Sequence, residues 1–131
     1  MQTIYQFMKE CQTFYLATMD GDQPRVRPFG AVCIYDGKMY ICANNQKPVS
    51  KQMKVNPKVE IRAASGDGRW LRLTAEALAD DNRDARQAML DEYPSIQQMY
   101  KADDRLFEVY HIKNATGVIC SFDSNNETHT F

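Results

Sequence analysis

The segment Pro24-Arg25-Val26-Arg27-Pro28-Phe29-Gly30 carries two guanidinium groups two residues apart. On an extended chain Arg25, Arg27 and Phe29 share one face, and Val26, Pro28 and Gly30 share the other. Two guanidiniums about 7 Å apart can hold one anion between them, and the planar fork of arginine suits phosphate oxygens. Pro28 donates nothing to a strand ladder, which confines the segment to a sheet edge or a bulge. Gly30 lets another group approach closely.

A second cationic group follows. Lys47 and Lys51 are four residues apart at the start of a short helical stretch, where unpaired N–H groups and the helix dipole favour an anion. Lys54 continues that face, while Val49 and Met53 on the opposite side are suited to docking. Strand arginines and a cationic helix start together make a phosphate clasp; a solvated cationic surface is the alternative reading of the same residues. The charge distribution agrees with a local anion site. Residues 23–62 hold eight Lys and Arg against Asp36 and Glu60, a charge of +6, leaving −7 for the rest of a chain whose net charge is −1. That balance excludes a basic coat of the kind that wraps nucleic acid.

Other reactive side chains offer less. Cys11, Cys33, Cys42 and Cys120 are scattered without a C-x-x-C pair, and His111 and His129 form no paired ligand motif, so no metal site is expected. Cys33 and Cys42 read as reduced thiols serving as small hydrophobes. His111 shares a face with Phe107 and Val109 and reads as a packed histidine; His129 falls in a polar tail.

The elements that must position these residues follow from periodicity. Ile4, Phe7, Met8 and Cys11 predict a helix over 2–11. FYLATM (14–19) predicts a strand closed by Asp20-Gly21-Asp22, and PRVRPFGAVCIY (24–35) and KMYICA (38–43) flank Asp36-Gly37, a type I′ hairpin signal. Asn44 and Asn45 are candidate caps for a helix that opens at Pro48 and stops at Asn56-Pro57. KVEIRAAS (58–65) and RWLRLTAEALA (69–79) predict a second hairpin about Gly66-Asp67-Gly68. A helix capped by Asp81 or Asn82 runs to Tyr93-Pro94, with further helical spacing at Ile96, Met99 and Tyr100. LFEVYHI (106–112) and GVICSF (117–122) predict strands joined near Asn114, before a frayed tail over 122–131.

Many strands joined by short turns, with few helices, predict a mainly β (α+β) fold: a closed or half-closed antiparallel barrel with short peripheral helices in one domain spanning 1–131. A parallel nucleotide-binding sheet is excluded, because the turns are too short for crossovers. The N-terminal stretch lacks the pattern of a secretory signal and no run of about 18 apolar residues occurs, which predicts a cytoplasmic protein without membrane contact.

The order FYLATMDGDQPRVRPFG, DGKMYICANNQKPVSKQMKVNP and VEIRAASGDGRWLRLTAEA resembles the pyridoxamine 5′-phosphate oxidase-like flavoproteins over roughly residues 10–122. The resemblance implies an FMN-binding split barrel and a homodimer with FMN in the groove between subunits. Carried over by position, it implies cofactor contacts from Arg25, Val26, Arg27 and Pro28 on the second strand. It adds Cys42, Ala43 and Asn44 at the end of the third, and Lys47, Lys51 and Gln52 on the following helix. Trp70 matches a position that approaches the flavin from the partner subunit.

The departures point away from the vitamin B6 enzyme. Gly30 stands where the oxidases have lysine, Cys42-Ala43 where they have aromatic and hydroxyl residues, and Pro48-Val49 where they have consecutive basic residues. The tail DSNNETHTF lacks their arginine and histidine grip on pyridoxamine phosphate. The chain is thus similar to the small general-stress and nitroimidazole-reductase-like branch. The implied activity is redox chemistry of a small molecule at the flavin ring, with NAD(P)H or another donor and no catalytic side chain required. A non-enzymatic carrier of flavin, haem or deazaflavin is the alternative, followed by a small barrel that binds single-stranded nucleic acid.

Overall fold

A computed structural model describes residues 1–131. Helix α1 (Gln2–Cys11) precedes β1 (Phe14–Asp20), β2 (Gln23–Phe29), β3 (Val32–Tyr35) and β4 (Lys38–Asn44). Then come α2 (Pro48–Val55), β5 (Lys58–Ala64), β6 (Trp70–Asp80), α3 (Arg83–Glu92), α4 (Pro94–Gln97), β7 (Phe107–Cys120) and β8 (Glu127–Thr130). All strand pairs are antiparallel, in the order β2-β1-β5-β6-β7-β4-β3, with β8 added to β7. The predicted mainly β fold with short helices is the one observed. No helix is long and apolar enough to cross a membrane.

Two cores hold the fold together. Alternating residues such as Phe14, Leu16, Ile61, Leu71 and Leu73 fill the barrel interior, which α1 covers with Ile4, Phe7 and Met8 and α2 with Val49 and Met53. A smaller cluster lies under α3, where Ala85, Met89 and Leu90 cover Cys33, Tyr40, Phe107 and Val109. Asn82 caps α3 by accepting from the Ala85 N–H at 3.1 Å. Asp36 and Gly37 both take positive φ, 49° and 72°, as a type I′ turn between β3 and β4 requires.

Four local expectations change. PRVRPFGAVCIY is two strands: the chain leaves the sheet at Gly30-Ala31 and passes from one edge, β2, to the opposite edge, β3. The segments 106–112 and 117–122 belong to one long strand, because Asn114 (φ 50°) forms a bulge against β6 instead of a turn. The expected tail contains β8, and Phe131 exchanges two backbone hydrogen bonds with Ala115. Neither Asn44 nor Asn45 caps α2; its N-cap is Lys47, with no side-chain bond to the helix.

Candidate functional site

Edge strand β2 pairs only with β1, through Leu16 opposite Arg27 and Thr18 opposite Arg25. Arg27 turns inward over β1. Its Nη1 donates to the Leu16 carbonyl (3.1 Å) and to Thr18 Oγ1 (2.7 Å), and its Nη2 donates to Gln52 Oε1 on α2 (2.8 Å). Thr18, buried, donates its own proton to the same Gln52 oxygen at 2.6 Å. The triangle ties β1, β2 and α2 together and fixes two orientations. Arg27 has five N–H donors, of which the one on Nε and one on Nη2 lack a protein acceptor. Gln52 must present its oxygen to two donors, so its amide nitrogen faces away from them.

These free donors border a hollow of about 450 Å³ lined by Asp20, Arg25, Arg27, Lys47, Pro48, Val49 and Gln52. Lys47 is exposed and makes no ion pair, while Arg25 is exposed and reaches Asp20 at 3.2 Å. The N-cap Lys47 makes no side-chain bond to α2, Pro48 carries no N–H, and the Ser50 N–H donates to the Lys47 carbonyl at 3.2 Å, so the Val49 N–H is the donor that the first turn leaves without a partner. Burial, and then the neighbouring Arg25 charge, lower the pKa of Arg27 from its ordinary value. That value is high enough for the guanidinium to remain charged.

Arg27, Lys47 and Val49 also border a larger cavity of about 610 Å³. Its walls are Pro28 to Ala31 at the chain's passage between sheet edges, Cys42 to Asn44 at the end of β4, Phe107, and Tyr93, Ser95, Ile96, Met99 and Tyr100 from the segment around α4. That wall is anchored at both ends. The Tyr93 hydroxyl bonds to both the N–H and the carbonyl of Val32 at 3.1 Å and accepts from Lys9 at 3.1 Å. Asn44 donates to the Tyr100 hydroxyl at 3.0 Å. Burial pushes the Cys42 thiol up to about 12, with the adjacent Cys33 adding to the effect, and burial likewise pushes Cys33 up to about 12. Both thiols are therefore protonated and unreactive at neutral pH.

Of the residues singled out in the sequence, Arg27, Pro28, Cys42, Ala43, Asn44 and Lys47 line this 610 Å³ cavity, and Arg25 and Gln52 join Arg27 and Lys47 in the hollow beside it. Val26 points outward, 67% exposed. Lys51 lines neither space. Trp70 lies at the start of β6 against Phe122, ring centroids 5.2 Å apart, away from the cavity of its own chain. Lys54 is bound by Glu108 at 2.8 Å; Ser50 also donates to Glu108 and contacts Tyr110, which locks α2 onto β7. The wall from Tyr93 to Tyr100 was missed, although the helical spacing of Ile96, Met99 and Tyr100 marked an apolar face without saying what it covers. Neither histidine reaches the cavity: His111 packs on Tyr40 and His129 lies beside Glu127. No group of three or more His, Cys, Asp or Glu side chains is placed to hold a metal ion.

A family model described as pyridoxamine 5′-phosphate oxidase matches residues 1–118. A NimC/NimA family protein from Clostridium acetobutylicum is 50% identical, with a TM-score of 0.97, over 100% of this chain and 92% of that one. General Stress Protein 26 from Bacillus anthracis superposes with a TM-score of 0.76 at 14% identity, over 99% and 97% of the two chains. A haem-binding protein from Mycobacterium smegmatis gives a TM-score of 0.67 at 15% identity, over 94% of this chain and 57% of that one. Among curated proteins none matches.

Proposed function

Since the chain belongs to the pyridoxamine 5′-phosphate oxidase-like family, we propose that it binds FMN in the cavity beside β2 and α2 and acts as an oxidoreductase on a small molecule there. The observation that carries this reading is the donor-rich hollow that shares Arg27, Lys47 and Val49 with a cavity lined mostly by apolar side chains. A phosphate needs several N–H donors and positive charge, which Arg27, Arg25, Lys47, the Gln52 amide and the Val49 N–H at the start of α2 supply. A planar ring needs apolar walls, which Phe29, Ala31, Ala43, Ile96 and Phe107 supply. The cavity's size falls within the range of about 300–1,000 Å³ typical of ligand pockets.

FMN bound there would supply electron or hydride transfer to and from a small molecule. The chain's own residues hold and shield it. Arg27 is oriented by Thr18 and Gln52 before any ligand arrives, which lowers the ordering cost of binding. A haem would have to take its iron ligand from Tyr93, Met99 or Tyr100, since no histidine borders the cavity and the raised Cys42 pKa opposes a thiolate ligand. Residues 127–130 pair as β8 with Thr116 to Ile119 and line no part of this chain's cavity.

A visible absorption spectrum of the purified protein, with identification of the released chromophore, tests the reading. A flavin spectrum, or uptake of added FMN, is expected; a colourless protein that takes up none would overturn it. Oxidation of NADH or NADPH with nitro and quinone acceptors then separates an enzyme from a carrier.

The same reading includes a homodimer. The outer face of the β1–β2 hairpin pairs Tyr15 with Pro28, Ala17 with Val26 and Met19 with Pro24, an apolar strip that continues to the cavity rim at Pro28. A second copy covering this strip would also border the cavity. Val26→Asp puts a charge at its centre and is expected to shift the protein from dimer to monomer in sedimentation, with weaker FMN retention. A variant that sediments as the wild type does would remove the strip from the interface.

A further inference from the structure

On the flavin reading above, we propose that Glu108, which borders neither the hollow nor the cavity beside it, is the positioning residue that holds the start of α2 in place for a phosphate and so makes the site prefer FMN to riboflavin. The start of α2 gives the hollow Lys47, the Val49 N–H and Gln52. Val49 and Met53 dock the helix on the barrel core, but apolar contact is non-directional and leaves a short helix free to slide or turn. Direction comes from the chain around the start of β7. The Asn45 N–H donates to the Leu106 carbonyl at 2.8 Å and the Asn45 amide to the Arg105 carbonyl at 2.6 Å, which ties down the loop ahead of the helix. Glu108 then takes hold of the helix itself.

Ser50 closes the first turn of α2, its N–H donating to the Lys47 carbonyl at 3.2 Å, and its side chain is fully buried. Its hydroxyl donates to Glu108 Oε1 at 2.8 Å and also touches the Tyr110 hydroxyl, which stands 3.2 Å from the same carboxylate oxygen. Two hydroxyls in contact bring two protons. One settles between them, and the other needs an acceptor beyond them, which Glu108 supplies. Lys54, one turn along α2, donates to the two carboxylate oxygens at 2.9 and 2.8 Å. Burial pushes the Glu108 carboxyl up, but the hydrogen bonds from Lys54 and Ser50 outweigh it and hold the group below its ordinary value, so it is ionised at neutral pH. On the opposite side of the helix Gln52 holds Thr18 and Arg27. The helix is thus clamped from both sides, and without Glu108 it can turn about Gln52. A phosphate feels that turn, because hydrogen bonds weaken within a few tenths of an ångström and a few tens of degrees. A ring between apolar walls does not.

The test is calorimetric titration of FMN, and of riboflavin, which lacks the phosphate, into the wild type, Glu108→Gln and Ser50→Ala. Glu108→Gln is expected to weaken FMN by about 3- to 10-fold and leave riboflavin at its wild-type affinity. Ser50→Ala should give the same pattern, and the double variant should lose less than the two single losses combined, because both changes cut one link. Wild-type FMN affinity in the single variants, strictly additive losses, or a wild type that binds riboflavin as tightly as FMN overturns the proposal. Equal losses for FMN and riboflavin also overturn it, since Glu108 would then serve the fold alone. Should Glu108→Gln not fold, Ser50→Ala decides by the same comparison of the two flavins. If the wild type binds neither flavin, the flavin reading fails, and inorganic phosphate followed by NMR at the Val49 N–H decides the positioning role: weaker phosphate binding in the variant upholds it, and equal binding or none removes it.

Discussion

Arg27→Ala is expected to weaken FMN binding roughly 30- to 700-fold, corresponding to about 2–4 kcal/mol, with the fold retained by circular dichroism. The size follows from position. Arg27 is half-buried and pinned by three hydrogen bonds to Leu16, Thr18 and Gln52, and two of its N–H donors remain for a ligand. A charged group held this way makes stronger, shorter bonds to phosphate than one waving in solvent. Removing it also frees Gln52 and Thr18 to rearrange, since Thr18 then has Gln52 as its sole side-chain partner. Arg25→Ala is a useful contrast: Arg25 is exposed and already paired with Asp20, an arrangement worth at most about 1 kcal/mol. Arg27→Lys should fall between wild type and Arg27→Ala, because it keeps the charge and loses the fork. Calorimetric titration of FMN into the three variants gives the comparison, and an Arg27→Ala protein that binds like the wild type would discard the phosphate assignment.

The part of this site legible in the sequence is the part set by short-range periodicity. Alternation placed Arg25 and Arg27 on one face of a strand, and the Lys47-Pro48 start of α2 was readable from proline's preference for the first helical turn. Even there the sequence treated the cations as equivalent. Which of them remains free depends on long-range partners: Glu108, 54 residues away, binds Lys54, whereas nothing binds Lys47. The break at Gly30-Ala31 was hidden because Ala31, Val32 and Cys33 continue an apolar run, although the two halves pair at opposite edges of the sheet. At Asn114 the signal was real and its meaning was ambiguous. A left-handed asparagine serves a turn or a bulge equally well, and only the register of β6 against β7 decides. The wall from Tyr93 to Tyr100 was legible as an apolar helical face and illegible as a cavity lining, since nothing local says that a face stops short of its neighbour.

Gly117→Ala is expected to lower the thermal midpoint by roughly 5–10 °C, an effect of overpacking in the barrel core. Glycine inside a strand ordinarily weakens it, so its presence at the middle of β7 needs a reason. The reason is α1. A Cβ at position 117 would lie 2.7 Å from Ile4 Cδ1 and 2.9 Å from Cγ1, and Leu73, its cross-strand partner, stands at 3.5 Å. Ile4 is fully buried, and a β-branched side chain has few rotamers with which to retreat, so α1 or β7 must shift. Ile4→Val removes the nearest of these atoms and alone costs about 0.5–1.5 kcal/mol. Combined with Gly117→Ala it should recover part of the loss, and strictly additive midpoints for the two changes would rule out the steric account. FMN affinity then tells where the strain goes. Lys9, on the same helix as Ile4, donates to the Tyr93 hydroxyl that anchors the cavity wall. If α1 moves as a unit, Gly117→Ala weakens FMN as well as the fold; if Ile4 alone repacks, the midpoint falls and FMN binding holds.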